Sequence, residues 1–471
     1  MSSAIFTRTF SAADFGQYAL VLIVANLLSM ISSQWVQQGV NRYLPGAAAE
    51  GEVSGLKPAI ARSVVIAGTL GCVVSVGSAI GVGARLGDGW RPLLLAGVVL
   101  VVATSVFTPL LVVLQAEMRS RAFTAYRVGS LLLGFGLSIL FVFVVRRDIA
   151  GLIVGNALGM LVLLFPLWRS TGLAIGPRTH ALGRLAGDRI RQMARYGLPM
   201  TWWFVGVGIL FFSDRYLIER FRGVGEVGVY SAVYVLMTGA VSTMATPVIL
   251  AAHPALMAAW NDQDKAKAAR WLRTILELLL VVGVVIVLFT GLFATDLARL
   301  LLGPEFRRGA GVMAVLVAAA VMWQVGGYAH KPLEFAGKTK LMSILVMVVA
   351  ALDIAANVLF VPRFGYPAAA WALLGASTLY TALAAWAGRR VLPWKVRLWI
   401  PIRFAVASGA SLLLVRWLRL LIAASEGYLT GLVFSIALAT ACAFVLFVLL
   451  VNTTLPPLRG GVGKTEATGG A

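Results

Sequence analysis

Histidine and cysteine are almost missing from this chain, with three of the first and two of the second among 471 residues. His180, His253 and His330 stand far apart, and Cys72 and Cys442 both lie inside apolar runs. That excludes a sequence-encoded metal cluster, a disulfide framework and thiolate chemistry. Charge is scarce as well. Only 13% of the residues are charged, against roughly 25% in a soluble domain. Acids are the scarcer sign, 19 against 40 basic residues. A membrane glycosyltransferase, polymerase or ligase would present acids or histidines on sizeable outer loops. The longest outer loop read here, 295–308, offers Asp296 and Glu305 and no histidine. The composition therefore argues against an enzyme.

What is abundant is apolar surface: 60% hydrophobic residues and a mean hydropathy of +0.89. These residues fall in blocks near 20 long, the length needed to cross a hydrocarbon core of about 30 Å. The chain reads as an all-α, polytopic membrane protein. Apolar segments lie at 15–39, 59–84, 92–116, 122–145, 148–168, 198–219, 226–252, 271–294, 309–330, 339–361, 366–388, 398–424 and 429–452, thirteen in all. Placing alternate connections on opposite sides puts 26 of the 40 basic residues on one side and 13 on the other, with Arg215 inside a segment. The richer side is expected to be cytoplasmic. The net charge of +21 then serves topology and anionic lipid, and no nucleic-acid partner is expected.

The chain also repeats. Asp14-Phe15-Gly16-Gln17-Tyr18 returns as Glu226-Val227-Gly228-Val229-Tyr230, 212 positions on. Phe143-Val144-Val145-Arg146 is echoed by Phe360-Val361-Pro362-Arg363, and Arg119-Ser120-Arg121 by Lys338-Thr339-Lys340, at offsets of 217 and 219. Three short matches in one order point to a duplicated unit and two pseudo-equivalent lobes, an arrangement that many transporters share. The boundaries read are an N-terminal lobe at 1–168, a basic cytoplasmic linker at 169–197, a C-terminal lobe at 198–388, two further transmembrane helices at 389–452 and a cytoplasmic tail at 453–471. The second repeat has a full segment, 198–219, before its echo. The first has only Ala4-Ile5-Phe6-Thr7-Arg8-Thr9-Phe10 there. The expectation is that a first helix is largely missing from this sequence, with an upstream coding stretch supplying it.

Thr7-Arg8-Thr9-Phe10-Ser11-Ala12-Ala13-Asp14-Phe15-Gly16-Gln17-Tyr18 resembles the first-to-second helix junction of bacterial oligosaccharide flippases. Those belong to the multidrug/oligosaccharidyl-lipid/polysaccharide exporter superfamily. Tyr196-Gly197-Leu198-Pro199, Ser213-Asp214-Arg215-Tyr216 and Gly228-Val229-Tyr230-Ser231 resemble the start of that family's second lobe. The resemblance spans roughly residues 5–455. It implies two six-helix lobes with two extra C-terminal helices, in a multi-pass protein of the bacterial inner membrane that works as a monomer. It implies a substrate, a polyprenyl-pyrophosphate-linked oligosaccharide of O-antigen or exopolysaccharide type, carried from the cytoplasmic to the periplasmic leaflet by rocking of the lobes. A polysaccharide polymerase and glycosyltransferases would be its partners, and no cofactor is implied beyond coupling to a proton or sodium ion. The alternative is a cation-coupled multidrug exporter of the same superfamily, whose cavity would be smaller, more aromatic and less cationic.

Several residues could carry such work. On a 100° wheel Asn26, Ser29, Ser33, Gln34 and Gln37 share one side of segment 15–39, with Val21, Val24, Leu28, Ile31 and Trp35 opposite. That stripe lines either a cavity or an interhelical hydrogen-bonded seam. A pyrophosphate wants arginine, and Arg8, Arg62 and Arg127 all fall in the first lobe, with Ser130, Gly134 and Ser138 following Arg127 on its face. Interfacial anchoring is the competing role for each. Asp214 and Arg215 are adjacent and so are not expected to form a simple pair; Arg215 shares a face with Glu219, and Asp214 must look to another helix or to water. They read as a brace or as substrate contacts. Asp353, with Asn357 on its face, is the most deeply placed acid, and such an acid costs ~2.5–3.5 kcal/mol in a membrane. It binds either a coupling ion or an internal hydrogen-bond partner. Gly77-Ser78-Ala79-Ile80-Gly81 and Gly155-Asn156-Ala157-Leu158-Gly159 read as close helix contacts, and 183–196 as an interfacial helix joining the lobes.

Overall fold

The computed structural model describes residues 2–49, 53–83, 90–145, 148–173 and 183–422. Those residues contain no strand and eleven helices long and apolar enough to cross a membrane. The eleven match the first eleven segments read from the sequence. The twelfth corresponds to α14 (Trp399–Ile422), whose described apolar part, Trp399–Leu413, is shorter than a span. The thirteenth, 429–452, and the tail lie outside the described residues. The protein is an all-α, multi-pass membrane protein.

In order, the helices are α1 (Ser2–Thr9), α2 (Ala12–Ala49), α3 (Val53–Gly83), α4 (Arg91–Ala116), α5 (Ser120–Leu140), α6 (Ala150–Thr171), α7 (Gly183–Arg222), α8 (Val224–Asn261), α9 (Lys265–Leu301), α10 (Met313–Ala329), α11 (Lys331–Phe335), α12 (Thr339–Phe364) and α13 (Tyr366–Arg389) before α14. A π turn, Phe141–Val145, ends α5, and a 3-10 turn, Pro304–Val312, precedes α10. Lipid offers the backbone no partner, so bonds close within helices and the breaks are sharp. Gly223 parts α7 from α8 at φ +90°, and Gly365 parts α12 from α13 at φ +68°, a left-handed turn that a side chain would strain. The Asp264 carboxylate accepts from the Lys267 N–H at 2.8 Å and caps α9.

The duplication is written into the element boundaries. α2 and α8 each run 38 residues, from Ala12 and from Val224. Arg91–Ala116 is answered by Pro304–Ala329, and Ser120–Val145 by Thr339–Phe364. α2 lies at the centre of the assembly: it packs on α3 and α4 of its own lobe and on α7 and α8 of the other. One apolar core runs through both lobes, with Phe15, Tyr230 and Phe306 among its buried members. A second gathers Trp35, Val36, Leu110 and Met193.

Two expectations change and one holds. The stretch 183–196 is not a separate interfacial helix; it is the first part of α7, 40 residues long with Pro199 inside it. At 1.5 Å per residue α7 spans about 60 Å, twice the hydrocarbon thickness, so an end must stand in water. Gly155 and Gly159 do make a close seam, against Ser138 and Gly134 of α5. Gly77 and Gly81 do not, since a Cβ at either would meet nothing within 4 Å.

Candidate functional site

Between the lobes lies a cavity of about 550 Å³, walled by α1, α2, α5, α6, α7 and α8. Phe6, Phe15, Leu131, Leu132 and Phe135 are among its apolar lining, and Asn26, Asn156, Ser231, Tyr234 and Arg215 among its polar lining. Arg215 is the only charged residue among those lining it. The repeat explains the place of this cavity. α12 packs along the 40-residue α7; α5, its counterpart, has only the eight-residue α1 in the equivalent position, and its Leu131, Leu132 and Phe135 border the cavity.

Arg215 is held rather than free. Its Nη1 donates to the Asp214 carboxylate at 2.8 Å and to the Phe211 carbonyl, and its guanidinium lies 3.9 Å from the centre of the Tyr234 ring. Adjacent helical residues point apart, which is why the sequence argued against this pair. The arginine curls back along its own helix and reaches the neighbouring carboxylate, so Asp214, not Glu219, is its partner. Asp214, fully buried, also accepts from the Tyr230 hydroxyl on α8. The expectation that it looks across to another helix holds.

Asp353 and Asn357 sit on α12, 2% and 0% exposed. The Asn357 amide donates to Asp353 Oδ2 at 3.1 Å and to its carbonyl at 2.9 Å. Asp353 Oδ1 and Asn357 Oδ1 have no donor. α7, which carries Asp214, packs along α12. Two acids, two orphaned acceptor oxygens and one arginine thus share the interior of the second lobe. An unpaired acceptor costs about 1–3 kcal/mol when buried, and a proton or small cation would relieve it.

The remaining site residues read from the sequence are not gathered here. Ser33 and Gln34 are buried, 1% and 8% exposed, beyond Asn26 along α2. Ser29 and Ser33 donate to their own helix, and Gln37 Nε2 donates to Ser33 Oγ at 3.1 Å. The bond between helices comes from Ser32 and Ser105, 2.8 Å apart, and Ser32 was not on the stripe. Of the opposite face, Val24 and Ile31 are exposed but Val21 and Trp35 are buried, because α2 is enclosed on more than one side.

The three arginines of the first lobe do not converge. Arg8 Nη2 donates to the Leu300 carbonyl at 2.8 Å and so closes the end of α9. Arg62 is half-buried on α3 and has a partner there. Arg127 is exposed on α5, off the cavity lining. Ser130, Gly134 and Ser138, which follow Arg127 along α5, are buried; Gly134 and Ser138 form the seam with α6. Two features were missed altogether. Tyr230 was read as part of a repeat and not as the partner of Asp214, because nothing in sequence ties α7 to α8 at that depth. Glu305 accepts from the Ala12 N–H at 2.8 Å, a tie between lobes that their separation of 293 positions conceals.

Residues 2–260 match the family described as polysaccharide biosynthesis protein. The chain belongs to this family. No curated protein matches it in sequence. Among solved structures, the lipid II flippase MurJ in an inward closed conformation is similar over 96% of each chain, with a TM-score of 0.66 and 11% identity. An inward-facing multidrug resistance MATE transporter of the MOP superfamily is similar over 82% of this chain and 92% of its own, with a TM-score of 0.65 and 14% identity. MATE in complex with MaD3S follows at 0.59, 14% identical over 82% and 90%. At such identities the likeness speaks for the fold alone: this family member shares the fold of those structures.

Proposed function

We propose that this polysaccharide biosynthesis protein is a flippase that carries a polyprenyl-pyrophosphate-linked oligosaccharide from the cytoplasmic to the periplasmic leaflet of a bacterial inner membrane. The observation that carries this reading is the family match over residues 2–260, joined by Arg215, which is paired with Asp214 and is the one charged residue among the described residues lining the interlobe cavity. A phosphate entering that low-dielectric space needs a cation, and the apolar residues of the lining, Leu131, Leu132 and Phe135 among them, suit a prenyl chain. The family match favours a polysaccharide precursor over a drug as cargo. Asn26 and Asn156 supply amide groups for sugar hydroxyls, and the polar residues deeper on α2, Ser33, Gln34 and Gln37, would continue that path as the lobes rock. Arg8, Arg62 and Arg127 keep the supporting role of anchoring and closure. Transport would take its energy from a proton or sodium ion held by Asp353 and Asn357, with Asp214 beside them.

The test is substitution at Arg215, read as export of surface polysaccharide normalised to membrane-inserted protein. Arg215→Lys should retain inserted protein and lose most export, since a point charge cannot hold phosphate bidentately. Arg215→Ala should lose export and abundance, because Asp214 is left buried and unpaired, at a cost of about 3–5 kcal/mol. Normal export by the lysine variant would remove Arg215 from the cargo site.

A further inference from the structure

At the mouth of the second lobe is a separate cavity of about 490 Å³ between the start of α9, the end of α13 and the connection that follows it. Arg270, Arg273, Arg389 and Lys395 line it, with no acid among its walls. The nearest carboxylate in sequence is Glu277, one turn after Arg273, and it is taken. Both its oxygens bind Arg397, at 3.0 and 2.8 Å to the guanidinium and at 2.9 Å to the backbone N–H. Arg273 Nε is buried with no hydrogen-bond partner. Four cations thus face one hollow with no acid among the described residues that line it, an arrangement that favours an anion with several acceptor oxygens.

The surroundings give the depth. Arg390 stacks on Trp386 at 3.8 Å, Arg389 on Trp394 at 4.5 Å and Arg403 on Trp399 at 4.6 Å. Tryptophans beside basic residues mark the level of lipid head groups. The excess of positive charge places this end on the cytoplasmic side.

We propose that this hollow is a binding site for the phosphate of an anionic phospholipid on the cytoplasmic leaflet. Arg270 and Arg273 hold the phosphate from α9, Arg389 and Lys395 from the other wall, and the acyl chains lie against the exposed faces of Trp386 and Trp399. The bound lipid fastens the 390–398 connection to α9 beside the Glu277–Arg397 clamp, and so steadies the docking of α14 on the second lobe. The site stands whatever the cargo of the central cavity.

The experiment is thermal unfolding of the full-length protein in detergent, titrated with phosphatidylglycerol, cardiolipin, phosphatidylethanolamine or soluble glycerol phosphate. Wild-type protein should gain Tm with the two anionic lipids and little with the zwitterionic one. Arg273→Gln/Lys395→Gln should bind anionic lipid about tenfold more weakly, roughly 1.4 kcal/mol. Lys338→Gln/Lys340→Gln, which removes two exposed charges from the start of α12, should behave as wild type. Equal loss in both double variants would overturn the site in favour of diffuse attraction. A shift by glycerol phosphate with none by phosphatidylglycerol would overturn the lipid as its source. If Arg273→Gln/Lys395→Gln cannot be purified, lipid co-purification measured on Arg389→Gln alone decides by the same comparison.

Discussion

Gly16 and Gly228, at the same place in the two repeats, lie backbone against backbone. A Cβ on Gly16 would fall onto the Val224 carbonyl, and one on Gly228 onto the Ala12 carbonyl. The contact is reciprocal, as expected where two like helices cross at a pseudo-twofold axis. Nearby, Ala12 donates to Glu305 at 2.8 Å, and Gly303 donates to the Thr7 hydroxyl at 3.2 Å. This end of the interlobe seam is closed by close backbone approach.

If that seam is the gate, a side chain there should wedge it open. Gly228→Val is expected to raise labelling of an Asn26→Cys reporter from outside several-fold, in a background lacking the exposed Cys72 and Cys442. Unchanged labelling in correctly inserted protein would make the contact a static brace.

The topology rests on the distribution of basic residues. Cysteines at Gly187, where a side chain has open space, and at exposed Ala266 should react only from the cytoplasm. One at exposed Arg307 should react only from outside. Gly303 is unsuitable, because its Cβ would strike the Thr7 carbonyl. Reaction of positions 187 and 307 from the same side would refute the arrangement.

Much of the fold was legible because membrane spans are long and apolar, and because a duplicated chain repeats its boundaries: the Gly16 and Gly228 echo is a physical contact. The site was less legible. Periodicity put Asn26 on a polar stripe but could not choose between a cavity and a seam, there or at Ser130, Gly134 and Ser138, since small polar residues serve both. Charge type suggested Arg127 for a phosphate, yet the cavity is reached by Arg215. The difference lies in which helices cross, and that is long-range information. The pairing of Asp214 with Arg215 was hidden for another reason: helix-wheel angles describe Cβ directions, and an arginine is long enough to ignore them.

Asp353 provides a test of coupling. Asn at this position keeps the size and the bond to Asn357 but cannot exchange a proton or balance a cation. Asp353→Asn should leave inserted protein near normal and remove the dependence of transport on the proton or sodium gradient. Gradient-driven transport that survives the substitution would rule the residue out as the coupling acid.

The central claim is that the cargo is a lipid-linked oligosaccharide and that the protein moves it between leaflets. The direct measurement is the share of that lipid reachable by an impermeant sugar-modifying reagent in spheroplasts of the native host, with and without depletion of this protein. Depletion should trap the lipid-linked oligosaccharide on the cytoplasmic face, and re-expression should return it to the outer face within the time that the protein reappears. An unchanged outer-leaflet share on depletion, with cationic drug efflux falling instead, would contradict the flippase and leave a drug exporter.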